Sequence, residues 1–136
     1  MKRPTNFRDL ERTRALFVRS AGSSGKYRCD CCGRWTKNVE MHEIFPRRIT
    51  QGNEEARQAS FQVELVAILC PACHTHCAET RGMAEYYLKE NIRRWKLANV
   101  RRAYDELNSL MVLDLGVDID RINRTFYPNP CKCADR

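Results

Sequence analysis

The sequence predicts a single α+β domain, and three observations lead there. Two C-x2-C pairs, one at Cys29 and Cys32 and the other at Cys70 and Cys73, stand 37 residues apart. Short apolar runs at 39–45 and 63–69 have strand character, each leaving or entering one of those pairs. From residue 83 onward the apolar residues recur on a helical period. The chain has 136 residues with 43% hydrophobic and 30% charged side chains, a globular balance over one ordinary domain length.

Taken in order, Asn6 with Asp9 three residues on starts a basic amphipathic helix over 7–21, ended by Gly22. It carries Arg8, Arg12, Arg14 and Arg19. Gly22-Ser23-Ser24-Gly25 breaks the chain before the first cysteine pair, which Gly33 turns. A strand follows over 39–45. Residues 46–60 are polar, contain Pro46, Gly52 and Asn53, and read as irregular. The run 63–69 reads as one buried strand feeding the second pair, where Pro71 opens a helix. Met83, Tyr86, Tyr87, Ile92 and Trp95 mark a helix over 83–97, and Val100, Tyr104, Leu107 and Leu110 mark another over 100–111. Asn99 reads as the break between them. A third helix is expected over 118–125, and 127–136 reads as a tail. The expected organisation is therefore one domain over 1–136: helix 7–21, a core over 26–80, a helical extension over 83–126 and the tail.

The cysteines carry the chemistry. A C-x2-C places two thiolates on one tight turn with backbone amides directed at sulfur, and two such turns complete a tetrahedral zinc site. Cys29, Cys32, Cys70 and Cys73 are the predicted ligands, with Cys31 a competitor inside the first turn. A disulfide framework is disfavoured because nothing in the sequence indicates secretion. No window approaches a membrane span, and the N-terminal residues lack the apolar core of a signal peptide, so a cytoplasmic protein is expected. Four cysteines remain. Cys31, Cys77, Cys131 and Cys133 read as spare thiols, partly in a flexible tail; the alternative is a second metal site that draws on His74 or His76.

The formal charge is +7, unevenly distributed. Residues 1–37 hold 10 basic and 3 acidic side chains and residues 81–104 hold 7 and 2, whereas 38–80 hold 3 and 6. Two basic blocks around an acidic middle suit a polyanion gripped from two sides; solvated helix faces are the plainer reading.

The segment Val39-Glu40-Met41-His42-Glu43-Ile44-Phe45-Pro46-Arg47, with the run into Cys70-Pro71-Ala72-Cys73-His74, resembles the HNH nuclease family across residues 29–76. That resemblance implies a ββα-metal core with a four-cysteine zinc site. A metal-ligand histidine on the first strand would be His42, another at the helix would be His74 with His76 in reserve, and the general base would fall on Glu43. The chain departs from the family in having Glu43 where a histidine is usual, a residue that is either base or extra ligand. It departs again at Leu65, where the family's middle asparagine is usual. His-Glu-Ile-Phe followed by arginines also resembles small phage-encoded HNH-like proteins, which implies a phage origin.

Two functions follow as expectations. One is a metal-dependent endonuclease that uses Mg2+ or another divalent ion at His42 and His74, beside the structural Zn2+. Its nucleic-acid partner, DNA in the first place, would be held by Arg47, Arg48, Arg93, Arg94, Arg101 and Arg102 through backbone contacts. The other is a non-catalytic zinc module that binds nucleic acid or a protein partner, in regulation or at a phage–host contact. A plain zinc ribbon ranks last, because it leaves the 37-residue insert and the His42 strand without a reason. No membrane partner is expected.

Overall fold

A computed structural model describes residues 26–129 and 131; the expected helix over 7–21 and Cys133 lie outside the described residues. The described chain is mixed α+β, with six α-helices and two small two-stranded sheets.

Strands β1 (Tyr27–Arg28) and β2 (Trp35–Thr36) pair antiparallel and bracket the first cysteine turn. The Cys29 amide donates to the Arg34 carbonyl at 2.8 Å and the Gly33 amide to the Cys29 carbonyl at 3.0 Å. Gly33 closes the turn at φ 79°, and a Cβ there would sit 3.1 Å from the Arg28 guanidinium. Glycine is the residue that adopts this left-handed backbone without strain.

Strands β3 (Glu40–Glu43) and β4 (Val66–Leu69) form the second antiparallel pair, with His42 opposite Ala67. All four residues of β4 are buried, which is why that run is continuously apolar. Residues 63–65 do not continue the strand as the sequence predicted. They form a 3-10 turn, Val63–Leu65, in which the Leu65 amide donates to the Gln62 carbonyl at 2.9 Å. Buried Asn91 fixes this junction by donating from Nδ2 to the carbonyls of Glu64 (3.1 Å) and Val66 (2.8 Å).

Between β3 and β4 the expected irregular segment is instead two short helices, α1 (Arg47–Thr50) and α2 (Glu54–Ala59). The Ala56 amide donates to Asn53 Oδ1 at 3.0 Å, capping α2, and Glu54 and Glu55 lie in its first turn. Asn53 Nδ2 also donates to the Leu110 carbonyl at 2.8 Å, which ties the insert to the helical layer.

Helix α3 (Pro71–His76) follows β4 directly and stops at Cys77. Helix α4 (Met83–Trp95) buries Met83, Tyr87, Leu88, Asn91 and Ile92, one face of a helix. Helix α5 (Leu97–Ser109) buries Val100, Ala103, Tyr104 and Leu107. The two helices part at Lys96, not at Asn99: Lys96 adopts φ 79° and ψ 146°, a conformation suited to glycine. Helix α6 (Ile119–Arg124) is capped by Asp118, whose carboxylate accepts from the Arg121 amide at 3.0 Å. One core cluster joins the cysteine turns to α4, α5 and α6. Among the described residues no helix is long and apolar enough to cross a membrane.

Candidate functional site

The sulfurs of Cys29, Cys32, Cys70 and Cys73 all lie within 4.8 Å of one another. A tetrahedral ion with Zn–S bonds of about 2.3 Å sets sulfur–sulfur edges near 3.8 Å; the Cys32–Cys70 pair is at 3.9 Å. The amides of Cys31 (3.4 Å) and Cys70 (3.2 Å) donate to Cys29 Sγ, as the spacing predicted for a thiolate turn. Burial pushes the Cys29 thiol up to about 11, and a cation beside it would favour its thiolate. The donor set fits a thiophilic divalent ion.

Asp30, inside the first turn, holds the site to the sheet. Its amide donates to the Ile68 carbonyl at 2.8 Å, and its Oδ2 accepts from the Ile68 amide at 2.8 Å. Its Oδ1 accepts from Arg94 at 2.7 Å, and both side chains are nearly enclosed. An acidic residue between the two cysteines of a C-x2-C is the sequence signal for this role, and only the fold supplies its partners.

The histidine pair meets beside α3, one residue on from Cys73. His42 projects from β3 and His74 from α3, with ring centroids 5.7 Å apart and planes at 68°. The His42 ring also stands 5.6 Å from the Tyr87 ring of α4. Burial first, and then the neighbouring charge of His74, lowers the His42 imidazole to about 4, so at neutral pH it carries a lone pair rather than a proton. His74 Nδ1 is 2.6 Å from Glu40 Oε1. A carboxylate on one ring nitrogen fixes the ring, the usual setting of a metal-bound histidine.

An open polar cleft of about 450 Å³ is lined by His42, His74, His76 and Glu79, with Thr75 and Thr80. A second cleft of about 350 Å³, lined in part by Glu43, Arg57 and Phe61, shares His42, His74 and Glu79 with it. Glu79 was not singled out from the sequence. It accepts from Arg48 at 2.8 Å, and that hydrogen bond, then the positive charge, holds its carboxyl below the ordinary range.

Glu43 is engaged elsewhere. Its carboxylate pairs with Arg57 at 2.6 Å, and the Arg57 guanidinium also lies 4.3 Å from the centre of the Phe61 ring. Arg57, another residue the sequence did not mark, would have to release Glu43 before that carboxylate took up a proton or a metal.

The predicted phosphate-contacting arginines are distributed differently from expectation. Arg94 is withdrawn into its pair with Asp30. Arg93 pairs with Glu90 (2.6 Å), Arg101 with Asp120, and Arg102 with Glu64 (3.4 Å). Arg47 is exposed at the start of α1, and Arg48 reaches the cleft through Glu79.

The remaining cysteines are not scattered. Cys31 and Cys77 are buried, and Cys131 packs beside Cys73 and Cys77. His74 is engaged by Glu40, not by these thiols. Comparison with protein-family models, curated proteins and solved structures finds no match to this chain.

Proposed function

We propose that this chain is an HNH-like, ββα-metal protein that binds nucleic acid in the cytoplasm and hydrolyses phosphodiester bonds with a divalent ion at His42 and His74. The observation that carries the reading is the meeting of those two imidazoles in one polar cleft, one from the first strand of a pair and one from the helix directly after the second. The order strand, strand, helix, flanked by a four-thiol site, is what the resemblance implies for residues 29–76.

The donors fit a divalent ion: His42 is neutral and buried, and His74 is oriented by Glu40. Such an ion, when bound, supplies charge to a phosphate and acidity to a water. The chain's own residues do the rest. Glu40 fixes the His74 ring. Arg48 and Arg47, at the edge of the cleft, supply positive charge for a phosphodiester backbone, with Arg48 exchanging Glu79 for phosphate. Glu43, in the base position, accepts a proton from water after Arg57 swings away. DNA is the favoured substrate and a phage the favoured origin, both on the resemblance alone.

A second reading is a non-catalytic module of the same fold, which binds nucleic acid or a protein. The Glu43–Arg57 pair favours it, because it leaves no unengaged base at position 43. Metal-defined protein incubated with supercoiled plasmid and single-stranded substrates, with Mg2+, Mn2+ or Ni2+, separates the two. The nuclease reading predicts metal-dependent cutting that His42→Ala abolishes. No cutting, or cutting that survives His42→Ala, gives the binding module.

A further inference from the structure

We infer that Cys31, Cys73, Cys77 and Cys131 hold a second thiophilic divalent ion, with Cys73 shared between it and the four-cysteine site. The sulfurs of Cys31, Cys73 and Cys131 all lie within 4.8 Å of one another. Cys131 Sγ is 3.8 Å from Cys73 Sγ and 3.6 Å from Cys77 Sγ. Both distances match the edge of a tetrahedral thiolate site, about 3.8 Å; Cys77 stands outside the three mutually close sulfurs and joins them through Cys131. Cys73 belongs to both groups, and a thiolate sulfur has lone pairs enough to bridge two soft cations.

Three separate parts of the chain deliver these sulfurs. Cys31 comes from the first cysteine turn, Cys73 from α3 and Cys77 from the residue that ends it, and Cys131 from the segment after α6. That last segment is pinned where it needs to be. Asn129 Nδ2 donates to the Cys31 carbonyl, and the Cys131 amide donates to Asn129 Oδ1 at 2.9 Å. Thus one asparagine reads the first turn and sets the chain direction that presents Cys131. None of the described cysteines is in a disulfide.

Loading is a balanced exchange. Cys73 is already a thiolate in the first site, so the second ion displaces one proton each from Cys31, Cys77 and Cys131. The chain gains two positive charges and loses three protons. The ion would staple the C-terminal segment to the core across a loop that begins at α3. It stands whether or not His42 and His74 cut a phosphodiester.

The test is the zinc content of the full, reduced chain by native mass spectrometry, with cadmium-substituted protein for NMR. The wild type is expected to carry two zinc ions and Cys77→Ser/Cys131→Ser one, with cooperative melting kept because the first site is intact. His42→Ala is expected to keep both, which separates this ion from any at the cleft. Two cadmium resonances split by coupling to each other through the shared sulfur are expected. One zinc in the wild type overturns the proposal, as do two zinc ions retained in the double variant, loss of the second with His42→Ala, or uncoupled cadmium resonances.

Discussion

Helix α3 serves two regions that differ in every physical respect. On one side Cys70 and Cys73 join Cys29 and Cys32 in a buried cluster, with backbone amides directed at sulfur and the Asp30–Arg94 pair tying it to β4 and α4. On the other, His74 meets His42 at an open cleft and is held by a single half-exposed carboxylate, Glu40. The thiol side is closed and over-determined, as a site that stabilises a fold must be. The histidine side opens onto the cleft, with His42 buried against Tyr87 and His74 held by Glu40. A helix of six residues therefore carries Cys73 of the thiol cluster and His74 of the cleft at adjacent positions.

Breaking the thiol side should cost most. Cys70→Ser is expected to lose both bound zinc and cooperative melting, read by metal analysis and calorimetry; a zinc-free variant that still melts cooperatively would remove the structural role of the site. Asp30→Ala leaves Arg94 buried without its carboxylate and frees the Ile68 amide. Its expected cost is about 3–5 kcal/mol in denaturant unfolding, and a cost below about 1 kcal/mol would mean that the pair does not hold the knuckle to the sheet.

The histidine side should respond to pH instead. His42 titrates near 6.5 when unfolded and near 4 in the fold, so the fold disfavours its charged form. Stability from this residue is complete above about pH 6.5 and is lost as pH falls toward 4, by at most about 3 kcal/mol. His42→Gln should flatten that part of the profile relative to wild type; parallel profiles would show that His42 is not held neutral. The smallest change lies away from both centres. Lys96→Gly relieves a positive φ on an exposed residue and should raise stability by about 1 kcal/mol without altering metal content, seen as a higher Tm.

What was legible in the sequence follows the range of the interaction. The four clustered cysteines, the Gly33 turn and the α4 and α5 core faces are local patterns, and each is readable from spacing. Asn53-Glu54-Glu55 carries a helix-start signal that Pro46, Gly52 and the polar composition outweighed, so α1 and α2 were missed. Arg94 and Asp30 are 64 residues apart and Cys73 and Cys131 are 58 apart. No periodicity links positions at such distances, so Arg94 read as a backbone-contacting arginine and Cys131 as a spare thiol. The break at Lys96 has no local signature at all, because lysine is an ordinary helix residue. The cleft was half legible: His42 and His74 came from the resemblance, while Glu79, Arg57 and the engagement of Glu43 needed three dimensions.

The division of labour across α3 is tested most directly by titrating His42→Ala/His74→Ala with Mn2+, while measuring its zinc content and melting. The expected result is zinc and cooperative melting as in wild type, with Mn2+ binding lost. Loss of zinc together with the histidines, or Mn2+ binding unchanged without them, would contradict it.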